Sequence, residues 1–196
     1  PALDAWEAVA SMASARDDLA VAVLDGKLYV VGGHGGGRLN SVERYDPALE
    51  AWEAVVPMAT AREAHAVAVL DGKLYVVGGL DAGYNYLSSV ERYDPSLDAW
   101  EAVAPMATAR DSHRMAVLDG KLYAVGGQDG LNSLASVERY DPATNAWEEV
   151  APMAEARHAH AMAVLEGKLY ALGGYNGGNE RDLSSVERYD PAVGAW

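Results

Sequence analysis

The stretch KLYVVGG at residues 73–79 decides the fold, because close copies of it occur four times along the chain. In each copy an apolar run ends in a pair of glycines. These pairs are Gly32-Gly33, Gly78-Gly79, Gly126-Gly127 and Gly173-Gly174. Sequence similarity that recurs with a period of roughly 40 to 50 residues is typical of propellers and solenoids, so the repeat governs the interpretation of every local pattern.

The repeat is regular outside one segment. Arg62 lies ten residues after Trp52 and sixteen before Gly78, and the other three copies keep both spacings. A later Tyr always lies seven residues before the next Trp. Only the interval from the first glycine to that Tyr differs, at 13, 15, 14 and 16 residues. A constant frame that carries one variable loop per repeat is typical of a binding surface on a rigid scaffold.

Four strands are predicted in each repeat. In the second repeat they are residues 52–56, 65–70, 73–77 and 89–93, and the second of these is apolar nearly throughout, as in a strand buried on both faces. Asp71-Gly72 is a two-residue hairpin signal between the second and third strands. The glycine pair predicts positive φ angles or a close backbone approach. No segment has a convincing helical period.

Composition excludes several classes of function. The 196 residues are half hydrophobic, carry a formal net charge of −14 and include no cysteine. With no basic cluster, we expect neither nucleic acid nor an anionic membrane surface as a partner. Disulfides, thiolate metal sites and thiol nucleophiles are impossible. We find no membrane-length apolar run and no signal peptide, and expect a cytoplasmic protein without a cofactor.

One further motif places the chain beside a known family. The pattern Pro-Met-x-x-x-Arg-x-x-His occurs at residues 57–65, 105–113 and 152–160, and the first repeat has Ser11 and Leu19 in place of its Pro and His. With the glycine pair, the Tyr and the Trp, this pattern resembles the kelch repeat over the whole chain. The resemblance implies an all-β fold, a β-propeller of four-stranded kelch blades with four blades per chain. It places the Arg–His strand innermost and the Trp strand outermost.

The blade number raises the question of ring closure. We expect one domain, residues 1–196, with repeats at about 6–51, 52–99, 100–146 and 147–196, and with residues 1–10 completing the last blade. Familiar kelch rings have about six blades. The chain therefore forms a four-bladed ring, or half of an eight-bladed homodimer, or a fragment of a longer protein. We favour the homodimer because it needs the smaller change of angle between blades.

Two repeated side chains allow a structural and a functional interpretation. His65, His113 and His160 share one repeat position, where three histidines can hold a metal. We favour packing between blades, because kelch repeats commonly have His there, and predict no metal site. The arginines before the inner strands have a structural interpretation, in which they bind carbonyls or the acid of a neighbouring blade, and a functional one, in which they form a ring that captures acidic ligands. We favour the structural interpretation. The repeated Glu-Arg pairs, such as Glu91-Arg92, are expected to be ion pairs on a strand face.

The residues that differ between repeats are the better candidates for ligand contact. They lie on the variable loops and near the starts of the inner strands, the two segments that line the ligand-binding face in kelch propellers. Tyr and Arg are enriched in binding hot spots. The predicted ligand-binding residues are His34, Arg38, Tyr84, Tyr86, Ser112, Arg114, Gln128, Asn132, His158, Tyr175, Asn176 and Arg181.

Three functions follow from these patterns. The first is a non-enzymatic interaction module that binds a protein or peptide through its variable loops. The second is a designed or recently amplified scaffold with no native ligand, which the near-identity of the four frames suggests. The third is a carbohydrate-active or metal-assisted enzyme, as a few kelch propellers are. No catalytic motif is present, and we expect no enzyme.

Overall fold

Each complete blade is one antiparallel sheet that starts from a tight hairpin, with three strands from one repeat and the Trp strand from the start of the next. In the second repeat Asp71 and Gly72 have φ angles of 51° and 69°. Two residues with positive φ form the turn that matches the right-handed twist of paired strands. The flanking strands therefore pair directly, from Leu70 opposite Lys73 to Ala66 opposite Val77.

A computed structural model describes residues 6–196, and in these it contains strands and no helix. The strands of the first two repeats are β1 (Ala20–Leu24), β2 (Lys27–Val31), β3 (Val42–Asp46), β4 (Ala51–Val55), β5 (Ala66–Leu70), β6 (Lys73–Val77), β7 (Val90–Asp94) and β8 (Ala99–Val103). The remaining strands are β9 (Arg114–Leu118), β10 (Lys121–Val125), β11 (Val137–Asp141), β12 (Ala146–Val150), β13 (Ala161–Leu165), β14 (Lys168–Leu172), β15 (Tyr175–Asn176), β16 (Arg181–Asp182) and β17 (Val186–Tyr189). No helix of membrane-spanning length and apolarity is found in this part of the chain.

The sheets follow chain order. Strands β1–β4, β5–β8 and β9–β12 form blades 1, 2 and 3, and β13, β14 and β17 form blade 4, whose variable loop contains the small hairpin β15–β16. The predicted strands of the second repeat agree with the observed ones to within one residue at each end. The prediction of an all-β propeller with four blades per chain is confirmed.

The hydrophobic core lies between blades rather than within them. Between blades 2 and 3, Leu70 and Tyr75 are buried in one cluster with Leu122 and Tyr140. The two tyrosine rings lie 5.7 Å apart in a tilted arrangement, which is favourable for aromatic pairs. Trp147 packs on Tyr140 at 5.2 Å, so the outermost strand also contributes to this interface.

The blades contact one another in series. The inner strands touch in the order β1–β5, β5–β9 and β9–β13, and among the described residues no contact joins β13 to β1. Residues 6–10 are not in a strand and do not pair with blade 4 of the same chain, and residues 1–5 lie outside the described residues. That residues 1–10 complete the last blade therefore stays a prediction. Among the described residues, blade 4 therefore lacks its outermost strand.

Antiparallel pairing sorts the connections onto two edges. The variable loops and the linkers between blades lie on one edge, which we call the loop edge, because each is separated from the next by an even number of strands. The inner two-residue turns and the turns before each Trp strand lie on the opposite edge, the hairpin edge. The candidate ligand contacts on loops and linkers consequently share the loop edge.

Candidate functional site

A buried arginine fixes the loop edge of each blade. Arg62 Nη1 donates to the carbonyl oxygen of Gly78 at 2.8 Å, and its Nη2 donates to Glu91 Oε1 at 2.7 Å. Glu91 in turn accepts the backbone N–H groups of Ala59 and Thr60, at 2.7 and 3.1 Å. One ion pair therefore ties the linker to the third strand, and the other three blades repeat it.

These arginines bind carbonyl oxygens, as the favoured interpretation predicts, but the predicted acid of a neighbouring blade is wrong. The acid partner belongs to the same blade, not to a neighbouring one, and all four guanidinium-bearing side chains are fully enclosed, so they form no accessible ring for acidic ligands. The adjacent Glu91 and Arg92 are not an ion pair either, because neighbouring residues of a strand point to opposite faces. Arg92 pairs across the sheet with Glu101 at 2.6 Å.

The three repeated histidines pack between blades, which confirms the structural interpretation. An added Cβ on Gly78 of blade 2 would lie 2.9 Å from Cε1 of His113, and one on Gly127 of blade 3 would lie 2.8 Å from its Cβ. One glycine from each of two neighbouring blades therefore leaves the space that the His113 ring occupies. Burial lowers the pKa of His65 and of His160 to about 3, aided by Arg62 at His65 and by Arg114 and Arg157 at His160. No group of three potential metal ligands occurs within residues 6–196.

Strained backbone lies beside the propeller axis at the loop edge, in an open series of four residues that we call the backbone ring. Asp18, Ala64, Ser112 and Ala159 occupy one repeat position and have φ angles between 45° and 50°. Each later member donates its backbone N–H to the carbonyl of the one before, at 2.9 to 3.0 Å. Left-handed φ angles are costly for residues other than glycine, and they concentrate at functional sites.

This ring forms the rim of a cavity on the axis. The cavity has a volume of about 210 Å³, and its lining includes Asp18, Ser112 and Arg114 together with the backbone of Ala64 and Ala159. Arg114 is exposed, and its guanidinium donates to the carbonyl of His113 at 3.2 Å. Two of the predicted contact residues, Ser112 and Arg114, therefore meet here.

A second cleft lies between the loops of blades 1 and 2. It has a volume of about 260 Å³ and is lined by Asp17, Asp18, His34, Arg38, Glu63 and Tyr84. Arg38 pairs with Glu63 at 2.7 Å and lies 4.0 Å from the centre of the Tyr84 ring. Tyr84 is 75% exposed and has a φ of 62°. His34, Arg38 and Tyr84 are the predicted residues that this cleft brings together.

A further acidic side chain, that of Asp111, lies at the junction between blades 2 and 3. Asp111 is buried, and burial raises the pKa of its carboxyl group to about 6, with the charges of Glu63 and Asp18 adding to the rise and Gln128 and Ser112 opposing it. Asp111 and Gln128 form a β-bridge. The ring of Tyr86 covers Gly130 of the neighbouring loop. Tyr86 and Gln128 thus close the junction above a buried carboxyl group.

The remaining predicted residues lie further along the loop edge. His158 Nδ1 lies 2.9 Å from Ser133 Oγ, and its ring meets Tyr175 edge-on at 5.4 Å. Asn176 accepts the N–H of Gly178, and Arg181 pairs with Glu155 at 2.5 Å. Asn132 donates its backbone N–H to Asp129 in a turn. The twelve predicted residues therefore do not form one cluster; their role in binding stays a prediction.

Sequence reasoning missed part of the site. Ala64 and Ala159 line the axial cavity with strained backbone, and an alanine gives no sign of a left-handed conformation. Asp18 and Ser112 share that repeat position and are residue types more compatible with turns. Comparison of the four repeats at this position could therefore have indicated a turn, which neither alanine indicates alone. Glu63 was missed because its partner, Arg38, lies on the loop of another blade.

Comparisons with known proteins agree with this architecture. The family model described as "KLHDC2/KLHL20/DRC7 Kelch-repeats domain" matches residues 56–196, and the model described as "Kelch motif" matches residues 15–59. The solved structure titled "Structure of YjhT" resembles the chain with a TM-score of 0.84 at 18% identity, over 94% of this chain and 72% of that one. At this identity the likeness concerns the fold alone.

Proposed function

Since the chain belongs to the kelch-repeat family, we propose that it is a non-enzymatic interaction module that holds a protein or peptide segment at its loop edge, over the axial cavity. The observation that carries the proposal is the ring of four left-handed residues around that cavity, Asp18, Ala64, Ser112 and Ala159. Strained backbone persists where the surrounding structure holds it, and such positions cluster at ligand sites.

The charge of the site favours a cationic segment. Asp17, Asp18 and Glu63 line the cleft beside the axial cavity, and Asp111 lies in the same group of interacting carboxyl groups. Arg38 and Glu63 neutralise each other, so the three aspartates outnumber Arg114, the one other cation that lines the axial cavity in the described part of the chain. A lysine- or arginine-rich ligand would meet carboxylates here, and the net charge of −14 would favour its approach.

Exposed Tyr84 adds an apolar surface at the edge of this acidic region. Tyrosine supplies large contact area at low conformational cost and is frequent in binding hot spots. Its ring already stacks against the guanidinium of Arg38, which limits the freedom that a ligand would have to remove. We propose that the bound segment lies along Tyr84 and places its basic groups toward Asp18.

Two peptides of equal length test the proposal, one alternating lysine and glycine and the other alternating glutamate and glycine, both labelled with fluorescein. Fluorescence anisotropy should show binding of the lysine peptide alone. Asp18→Asn should weaken it about fivefold, the factor for ~1 kcal/mol. Asp25→Asn is the matched control, because Asp25 also has a positive φ, of 49°, but lies in a turn on the hairpin edge.

The outcomes separate the alternatives. Equal weakening by the two variants would show that binding follows net charge and would overturn the loop-edge site. Absence of binding by both peptides would overturn the cationic ligand and favour a scaffold without a native ligand. The metal-assisted alternative predicts stoichiometric metal at His65, His113 and His160, which elemental analysis of the purified protein measures.

A further inference from the structure

The two ends of the blade series expose faces that are buried everywhere else. Val42, Val90 and Val137 are each 1% exposed, whereas the equivalent Val186 of blade 4 is 56% exposed. Leu165 is 57% exposed, although its equivalents in the other blades are buried. The blade-4 face, defined by Leu165, Tyr170, Leu172 and Val186, has the residues with which blades 1 to 3 each pack against the next blade.

At the other end, blade 1 exposes the surface that receives a preceding blade. Val21 and Val23 of β1 are exposed, while the equivalent Val67 and Val69 of β5 pack against blade 1. Leu28 and Tyr45 also belong to this blade-1 face and are more accessible than their equivalents. The two faces are therefore the two sides of an interface that the chain already forms three times.

The outer strand of blade 4 shows the same incompleteness. In blade 1, β3 pairs with β4 so that Val42 lies opposite Val55. In blade 4, within residues 6–196, the corresponding pairing is limited to Asp190 with Ala195. In the other blades the outermost strand continues for three residues after its Trp. The residues at those repeat positions after Trp6 are Glu7, Ala8 and Val9, and Val9 is exposed.

The ion pairs between the two outer strands of blades 1 to 3 also indicate the strand that blade 4 lacks within the described residues. Arg44, Arg92 and Arg139 each pair with a glutamate of the outermost strand, at 2.5 to 2.6 Å. Within residues 6–196, Arg188 at the equivalent position of blade 4 forms no ion pair, and the glutamate that corresponds to its partner is Glu7. The linker after Glu7 is already in place, because Ala10 accepts the indole N–H of Trp52 as Val56 accepts that of Trp100.

We infer that a second copy of this chain docks head to tail on both open faces, closes an eight-bladed ring and supplies residues 7–9 as the outer strand of blade 4. A head-to-tail interface closes when the second copy returns to the first, which two copies related by a two-fold axis achieve. The backbone ring around the axis supports this. Its hydrogen bonds run from Asp18 to Ala159, and closure would let Asp18 donate to Ala159 of the second copy.

One pair makes this junction weaker than the internal ones. At the loop edge each variable loop reaches the next blade, as Arg38 does with Glu63 and Ser133 with His158. The β-bridges show which residues hold the same positions at the open junction: Asp182 is equivalent to Arg38 and Asp17 to Glu63. Two carboxylates meet there, with His34 3.7 Å from Asp17. Asp182→Arg would recreate the Arg38–Glu63 pair and should strengthen the dimer about tenfold.

Sedimentation velocity over a range of protein concentrations tests the assembly. The expected mass is twice the chain mass of 20.8 kDa. Leu165→Asp should shift the protein to monomer, while Leu97→Asp should leave the dimer intact, because Leu97 is an exposed leucine on the hairpin edge of blade 2, away from both open faces. A wild-type protein that stays monomeric at every concentration, or that forms longer polymers, would overturn the proposal.

A cysteine pair tests the strand that is exchanged. The chain has no cysteine, so every disulfide of the double variant Val9→Cys, Val186→Cys joins introduced residues, and the two single variants measure the links of each position to itself. Under oxidation it should give a covalent dimer on non-reducing gels, with both single variants and a Val9→Cys, Leu97→Cys pair as controls. A disulfide within one chain would show closure by a single chain and overturn the proposal. The proposal is also overturned if the double variant forms no more disulfide than the controls.

Discussion

The guanidinium of Arg110 lies 2.7 Å from the carboxylate of Glu138, and both side chains are essentially inaccessible to solvent. The same blade contains an ion pair of nearly equal length, between Arg139 and Glu148 at 2.6 Å, that is partly exposed. The two pairs allow burial to be varied while the chemistry and the distance stay nearly constant.

Replacing Arg110 by Met should lower the free energy of unfolding by about 3–5 kcal/mol, because it leaves Glu138 as a buried and unpaired charge. The matched change Arg139→Met should cost less than about 1 kcal/mol, since exposed pairs contribute little. Urea unfolding measures both. Similar losses in the two variants would show that the enclosed pair is not more important than the exposed one.

The buried histidines should make the protein less stable in acid. Burial lowers the pKa of His65 and of His160 to about 3, below the ordinary value of 6.5. The unfolded chain therefore binds protons that the folded one does not, and stability present above pH 6.5 is lost as the pH falls toward 3. Each such histidine contributes a slope of about 1.4 kcal/mol per pH unit well below pH 6.5.

His160→Leu tests that slope, with a residue that the chain itself has at the equivalent position, Leu19. Urea unfolding at a series of pH values between 7 and 5 should show a shallower decline for the variant than for the wild-type protein. Parallel declines in the two proteins would mean that His160 titrates normally in the folded state.

Asp111 should have the opposite pH dependence. Burial raises the pKa of its carboxyl group to about 6, so the folded state binds this proton more tightly than the unfolded state does. The cost of ionising it is fully present above pH 6 and disappears as the pH falls through the unfolded value near 3.8. Asp111→Asn should therefore increase stability at pH 7 by on the order of 2 kcal/mol.

Asp129→Asn provides the contrast for Asp111. Backbone N–H groups of Leu131 and Asn132 hold the pKa of Asp129 below its usual range, so this change should decrease stability at pH 7. Urea unfolding at pH 7 compares the two variants. Destabilisation by both would contradict the raised pKa of Asp111.

Ala64→Gly should stabilise the fold by up to about 1 kcal/mol, because Ala64 has a φ of 50° and glycine adopts such angles without steric cost. Ala66→Gly, two residues later in β5, should destabilise by about 0.5–1 kcal/mol, since glycine only adds backbone entropy to the unfolded chain there. Thermal unfolding of both variants gives the signs, and a loss in Ala64→Gly would contradict backbone strain at that position.

The loop edge could be predicted in outline but not in detail. Variable loop lengths located the candidate residues on one edge, as the topology requires. The pairs that cross between blades, such as Arg38 with Glu63, depend on how one sheet stacks on the next, and no spacing along the chain encodes that distance. The alternation of side chains along a strand did imply that Glu91 and Arg92 face opposite sides, and the sequence-based prediction overlooked it.

The amino-acid sequence by itself determined the period, the four strands of each repeat and the hairpin at Asp71-Gly72, because these depend on local turn chemistry and on the alternation of side chains. Only the tertiary structure decided that Arg62 is buried against Glu91 of its own blade, that Ala64 has a left-handed backbone, and that no strand of blade 4 contacts a strand of blade 1 in the part of the chain that the structure describes. These features depend on contacts between segments far apart in the chain, where packing and desolvation outweigh local preference.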